Sequence, residues 1–203
     1  MKSIASLSLV AGLTVVSALP TNEGVSGSIT DALTWTGQVQ LGQLPIVLTG
    51  TAEEIYHNIT ALNPNYDSEL GINSQNSLTT EQNLENLALL NARAPTSSDY
   101  TCNYGTWVSA LNTAAVIRYL YNIGNGDCAA PPGRPGAGGC SNTGCAGESS
   151  VWLCNDYNFQ LHVPCRLVAD NAVEVMIKCQ NNDVVRGQIF STDRGWSTII
   201  NHC

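Results

Sequence analysis

The side chains with the most chemical potential in this chain are eight cysteines, Cys102, Cys128, Cys140, Cys145, Cys154, Cys165, Cys179 and Cys203, all of them in the second half. No two stand in a Cys-x2-Cys pair, so the spacing offers no zinc site, and an even set leaves no thiol over as a nucleophile. Pairing into four disulfides is the chemistry this pattern favours. Acid–base chemistry has thinner support. His162 and His202, with Glu148, Asp156 and Glu174, supply the group types of a small secreted ribonuclease, but no spacing specifies one. Ser149-Ser150 lacks the glycine frame of a nucleophile elbow. Trp107, Trp152, Trp196 and Tyr157 could offer stacking faces to carbohydrate; Trp107 and Trp152 sit in apolar patterns that read as core, which leaves Trp196 as the one to test. Arg134, Arg166, Arg186 and Arg194 read as exposed bases, and Arg186 could equally serve a structural role beside Asp183. Of these, Arg134, Arg186, Arg194 and Trp196 form the candidate interaction surface. No residue is assigned a catalytic, cofactor-binding or metal-binding role.

These groups belong to a chain of 203 residues with formal charge −8, 43% apolar and 12% charged, which is a globular composition. There is no excess of lysine and arginine with which to neutralise a phosphate backbone, so no nucleic-acid partner is expected. Residues 1–18 read as a secretory signal: Lys2, an apolar run from Ile4 to Val16, then Val16-Ser17-Ala18 before the cut. That run is too short to span a bilayer, so an integral membrane protein is not expected. Export accounts for the disulfides and makes Asn58-Ile59-Thr60 a usable glycosylation sequon on Asn58.

Charge and cysteine divide the rest. Residues 19–93 hold eight acids, one base (Arg93) and no cysteine, for a net −7; residues 94–203 hold eight acids, six bases and every cysteine, for a net −2. The small-residue and Pro/Ser stretch from Ala92 to Asp99 reads as a linker. Residues 19–93 are therefore expected to be a pro-segment, with processing near Arg93, or a loosely attached N-terminal module, the alternative being that they belong permanently to the mature protein; residues 94–203 form the cysteine-rich domain.

In the first stretch, Thr51-Ala52-Glu53-Glu54 is a capping box opening a helix through Leu62, and Thr79 to Gln82 opens another carrying Leu84, Leu87 and Ala88. Thr34 to Leu41 and Leu44 to Thr49 read as strands around Gly42-Gln43. In the second, a helix is expected from Gly105 to Ile123 and another from Pro164 to Gln180. On the latter Cys165 and Cys179 stand roughly 21 Å apart along the axis, too far to bond each other. Ser149 to Leu153 reads as a strand, and Val184 to Phe190 with Trp196 to Asn201 as a hairpin turning at Ser191–Gly195. The proline- and glycine-rich stretch from Pro131 to Gly139 reads as irregular, pinned by Cys128, Cys140 and Cys145. This order predicts an α+β fold: a small, disulfide-stapled two-layer α/β sandwich with two helices on an antiparallel sheet.

The passage Asn182-Asp183-Val184-Val185-Arg186-Gly187-Gln188-Ile189, the ending Ile199-Ile200-Asn201-His202-Cys203, and the helix bracketed by Cys165 and Cys179 resemble the killer-toxin-like secreted fungal effectors. The likeness covers residues 164–203, with a weaker match of pattern back to Cys102. It implies a compact cysteine-rich α/β sandwich that acts outside the cell on a plant host or competing microbe; no enzymatic activity or cofactor is expected, and the chain is expected to be a monomer. Calcium channels are the target of the best-known member. That member is basic and acts through a lysine-bearing loop, whereas residues 145–154 here contain neither lysine nor arginine.

Overall fold

The computed structural model describes residues 29–72, 99–134 and 137–203. The signal segment, Arg93 and the helix expected from Thr79 lie outside the described residues.

The N-terminal part contributes β1 (Ile29–Gly37), β2 (Ile46–Gly50), α1 (Ala52–Leu62) and the single turn α2 (Tyr66–Glu69). After it come β3 (Tyr100–Thr101), β4 (Val108–Ser109), α3 (Ala110–Asn122), β5 (Asp127–Ala130), β6 (Gly139–Ala146), β7 (Ser149–Asn155) and β8 (Leu161–Pro164). The chain ends with α4 (Cys165–Cys179), β9 (Val184–Val185), β10 (Gly187–Phe190) and β11 (Trp196–His202). The fold is mixed α+β, with a nine-stranded sheet in the order β3-β10-β11-β7-β6-β1-β5-β8, β2 paired to β1, and a separate β4–β9 ribbon. Among these pairings only β1–β6 is parallel.

Several elements follow the sequence closely. Thr51 caps α1 through a reciprocal pair: its hydroxyl accepts from Glu54 N–H while Glu54 Oε2 accepts from Thr51 N–H. The Pro164–Gln180 stripe becomes α4, with Pro164 at the N-cap. The expected C-terminal hairpin forms, but it is interrupted. Gly187 has φ +146°, and a Cβ there would lie 2.8 Å from the Thr101 carbonyl oxygen, so the strand breaks into β9 and β10. In the turn the left-handed position belongs to Arg194 (φ 57°) instead of Gly195, whose missing side chain makes room for the Tyr157 ring.

Two expectations are corrected. The helix expected from Gly105 starts at Ala110, because Gly105 is left-handed (φ 78°) and Ser109 provides the N-cap, its hydroxyl accepting from Asn112 N–H. The irregular stretch ends at Gly138, and from Gly139 the chain forms an interior strand, β6. Its small residues match a tight site: a Cβ on Gly139 would sit 2.1 Å from the Pro131 carbonyl oxygen, and one on Gly144 would be 3.2 Å from Val116.

The linker and cut expected around residue 93 lie outside the described residues, while residues 29–72 pack on the cysteine-rich part. β1 pairs with β6 over Ile29–Ala32 and with β5 over Thr34–Thr36. Trp35 is fully buried, and its indole Nε1 donates to the Ile123 carbonyl at 2.9 Å. Buried Tyr66 donates its hydroxyl to Asn125, and Asn125 Nδ2 donates to the Gln38 carbonyl. Leu33, Ile55 and Ile59 share one core with Leu120, Val151 and Val168. A strand placed inside a sheet cannot be withdrawn without orphaning ladder groups on both neighbours.

Candidate functional site

The acid–base groups named from sequence do not converge. His162 is exposed on β8, the terminal strand of the sheet, while His202 ends β11, beyond β5, β1, β6 and β7. His202 Nε2 lies 3.8 Å from Glu148 Oε2, with both side chains in solvent. Glu174 is buried on α4, 3.2 Å from Lys178 Nζ. The hydroxyls of Ser149 and Ser150 are held inside the sheet, donating to the Ser109 carbonyl and to Asn142 Oδ1.

The interaction residues named from sequence are also dispersed. Arg186 and Arg194 stand at opposite ends of β10. Arg186 does not pair with Asp183: its guanidinium lies 4.5 Å from the Trp107 ring centroid, and Nη1 donates to the Gly105 carbonyl. Trp107, read from sequence as core, is 41% exposed: it lies ahead of the Ser109 N-cap, outside α3. Arg194 is neutralised by Asp99 through Nε at 2.6 Å and Nη2 at 3.1 Å, and lies over Phe190. Arg134 is exposed, Trp196 is half-buried against the core, and Trp152 is fully buried with Nε1 donating to the His202 carbonyl.

All eight cysteines are paired: Cys102–Cys179, Cys128–Cys165, Cys140–Cys154 and Cys145–Cys203. Both ends of α4 are thereby stapled to other elements, and the final residue is tied to β6. Asn58, the sequon asparagine, is exposed on α1.

Two features were not legible as sites in the sequence. The first is a cleft of about 340 Å³ that adjoins a smaller one of about 90 Å³, with Thr51 and Cys145 lining both. β1 stops pairing with β6 after Ala32–Asn142, β6 shifts register between Asn142 and Gly144, and the start of α1 faces the gap. Asp31 and Glu54 come from the N-terminal part, whereas Asn142 and the Cys145–Cys203 bridge come from the other, so both parts build the cleft.

The second feature is the loop after β7. Asn155 is fully buried, and its Nδ2 donates to the Pro131 carbonyl at 2.9 Å and the Phe159 carbonyl at 2.7 Å, while its Oδ1 accepts from Tyr157 N–H. This fixes Tyr157 and Phe159 as a parallel pair, centroids 4.8 Å apart and planes 14° apart, with Phe159 57% exposed. The Tyr157 hydroxyl donates to Asp193. Asp193 also accepts from the Ser191 hydroxyl at 2.7 Å and from Gly195 N–H at 3.1 Å. The bond from Ser191, followed by those from Tyr157 and Gly195, holds the Asp193 carboxyl down at about 2, and the same carboxylate pushes the Tyr157 phenol up.

No family model, no curated protein and no solved structure matches this chain.

Proposed function

We propose that this is a secreted antagonist or effector of killer-toxin-like type, a disulfide-stapled two-layer α/β sandwich that acts outside the cell by binding a target on a host or a competing microbe. The observation that carries this reading is the use of every cysteine in a framework of four bridges closing loops of 14, 37, 58 and 77 residues. Taken singly, loops of this size stabilise a fold by about 3–4.5 kcal/mol each in the chain-entropy account, and such bridges persist in oxidising compartments. Among the described residues no helix is long and apolar enough to cross a membrane, which is compatible with release from the cell.

The mode of action differs from that of a basic channel blocker. Arg194 is matched by Asp99 and Lys178 by Glu174, and residues 94–203 carry a net −2, so the cations do not add up to a concentrated positive field. Exposed aromatic and arginine side chains are the residue types that anchor protein interfaces, and Trp107 with Arg186 supplies such a pair. Purified secreted protein, applied to fungal cultures and infiltrated into leaves, is expected to arrest growth or provoke a host response, and to leave RNA intact. RNA cleavage that disappears in His162→Ala would overturn the reading in favour of a nuclease.

A further inference from the structure

Phe159 is a large apolar side chain that the fold holds out into water. Its backbone carbonyl is fixed by the buried Asn155 amide, and its ring is backed by Tyr157, which is itself fixed at three points: N–H to Asn155 Oδ1, hydroxyl to Asp193, and the hydroxyl-bearing end of the ring against Gly195. A loop ordered this strongly around an exposed ring has already lost the conformational freedom that binding would otherwise cost. The surroundings narrow the choice of ligand. Asp156, Asn158 and Gln160 flank the ring in sequence and are exposed; the carboxylate accepts hydrogen bonds and the two amides both donate and accept. Of the three only Asp156 is charged, and aspartate is depleted at the centre of protein–protein interfaces. A pyranose ring fits them: its C–H face packs on a flat π surface while its equatorial hydroxyls point outward to carboxylates and amides.

We propose that the Tyr157–Phe159 stack is a carbohydrate-binding platform that docks the protein onto a pyranose polysaccharide of a cell wall. This goes beyond the extracellular activity proposed above, since it supplies a surface on which the protein accumulates before it meets its target. It also moves the carbohydrate contact away from Trp196, whose ring is half-buried against the core.

The test is cosedimentation of the full-length secreted protein with insoluble chitin and, separately, with insoluble β-1,3-glucan. The wild type should bind one of the two, and the arm that binds identifies the sugar. Phe159→Ala should weaken that binding about tenfold, the loss expected for half-burying one aromatic ring. Phe159→Trp should retain it, and Trp107→Ala, which removes another exposed aromatic, should leave it unchanged. Phe159 is 57% exposed, so its truncation should lower the thermal midpoint by only a few degrees, which separates loss of binding from loss of fold. Wild-type protein that pellets with neither polysaccharide overturns the proposal. So does Phe159→Ala protein that binds as the wild type does, or binding that depends on Trp107 instead.

Discussion

Replacing Trp35 with alanine should destabilise the whole protein, disulfides notwithstanding, by an amount that can be worked out from its surroundings. The indole is fully buried, and two glycines are shaped around it: a Cβ built on Gly37 or on Gly126 would come within 2.3 Å of a ring atom. Truncating a buried tryptophan to alanine costs about 3–5 kcal/mol in lost transfer energy and residual cavity. The Ile123 carbonyl loses the indole N–H at the same time, which adds about 1 kcal/mol where water cannot replace the donor. A total of about 4–6 kcal/mol is a large share of the 5–15 kcal/mol that holds a typical domain together. At about 2–4 °C per kcal/mol for a chain of this size, the thermal midpoint should fall by roughly 10–20 °C. Circular dichroism melts of oxidised wild type, Trp35→Ala and Trp35→Phe would measure this, with Trp35→Phe falling in between because it keeps one six-membered ring but loses the rest of the indole and its donor. A Trp35→Ala midpoint within about 3 °C of wild type would refute the idea that β1 is an integral strand.

The remaining expectations are more local. Lys178→Met should cost about 3 kcal/mol in chemical denaturation by leaving the buried Glu174 carboxylate without its counter-ion, whereas Lys178→Met combined with Glu174→Gln should recover most of the loss. Burial, then the hydrogen bond to Asp67 and that carboxylate's charge, push the Tyr56 phenol up to about 12. The neutral phenol is the form favoured by folding, so its contribution is complete below pH 10 and is lost as pH rises toward 12; absorbance at 295 nm should show Tyr56 ionising above the ordinary tyrosine range, and the Tyr56→Phe variant should lack that late component. Asn58→Gln should abolish a mass increment that a peptide N-glycosidase removes from the secreted wild type, since Asn58 is exposed on α1.

What the sequence revealed and what it concealed divide along physical lines. The α1 capping box, the apolar stripe of α4 and the apolar run of β7 are local signals, and each formed close to its expected bounds. β6 was hidden because Gly-Cys-Ser-Asn-Thr-Gly-Cys-Ala has no apolar alternation; its interior place depends on small size and on Cys140 facing Cys154 across the ladder, both long-range properties. β1 looked detachable because charge and cysteine content change sharply after it, yet composition carries no information about pairing with a strand a hundred residues away. Trp107 was misplaced by a helical periodicity that runs through the positive-φ Gly105 and past the Ser109 cap. Phe159 carried no signal, since an isolated aromatic in a polar stretch becomes informative only once Asn155 is seen to hold its backbone.

The joining of residues 29–72 to the cysteine-rich part is the claim on which the rest depends, and a cut in the chain tests it most directly. A protease site introduced between residues 73 and 98 should yield two fragments that co-elute in gel filtration with a native circular dichroism spectrum. They should separate in denaturant without any reductant, because every cysteine lies at Cys102 or later. Elution of the cysteine-rich fragment alone, still natively folded and free of residues 29–72, would contradict the account.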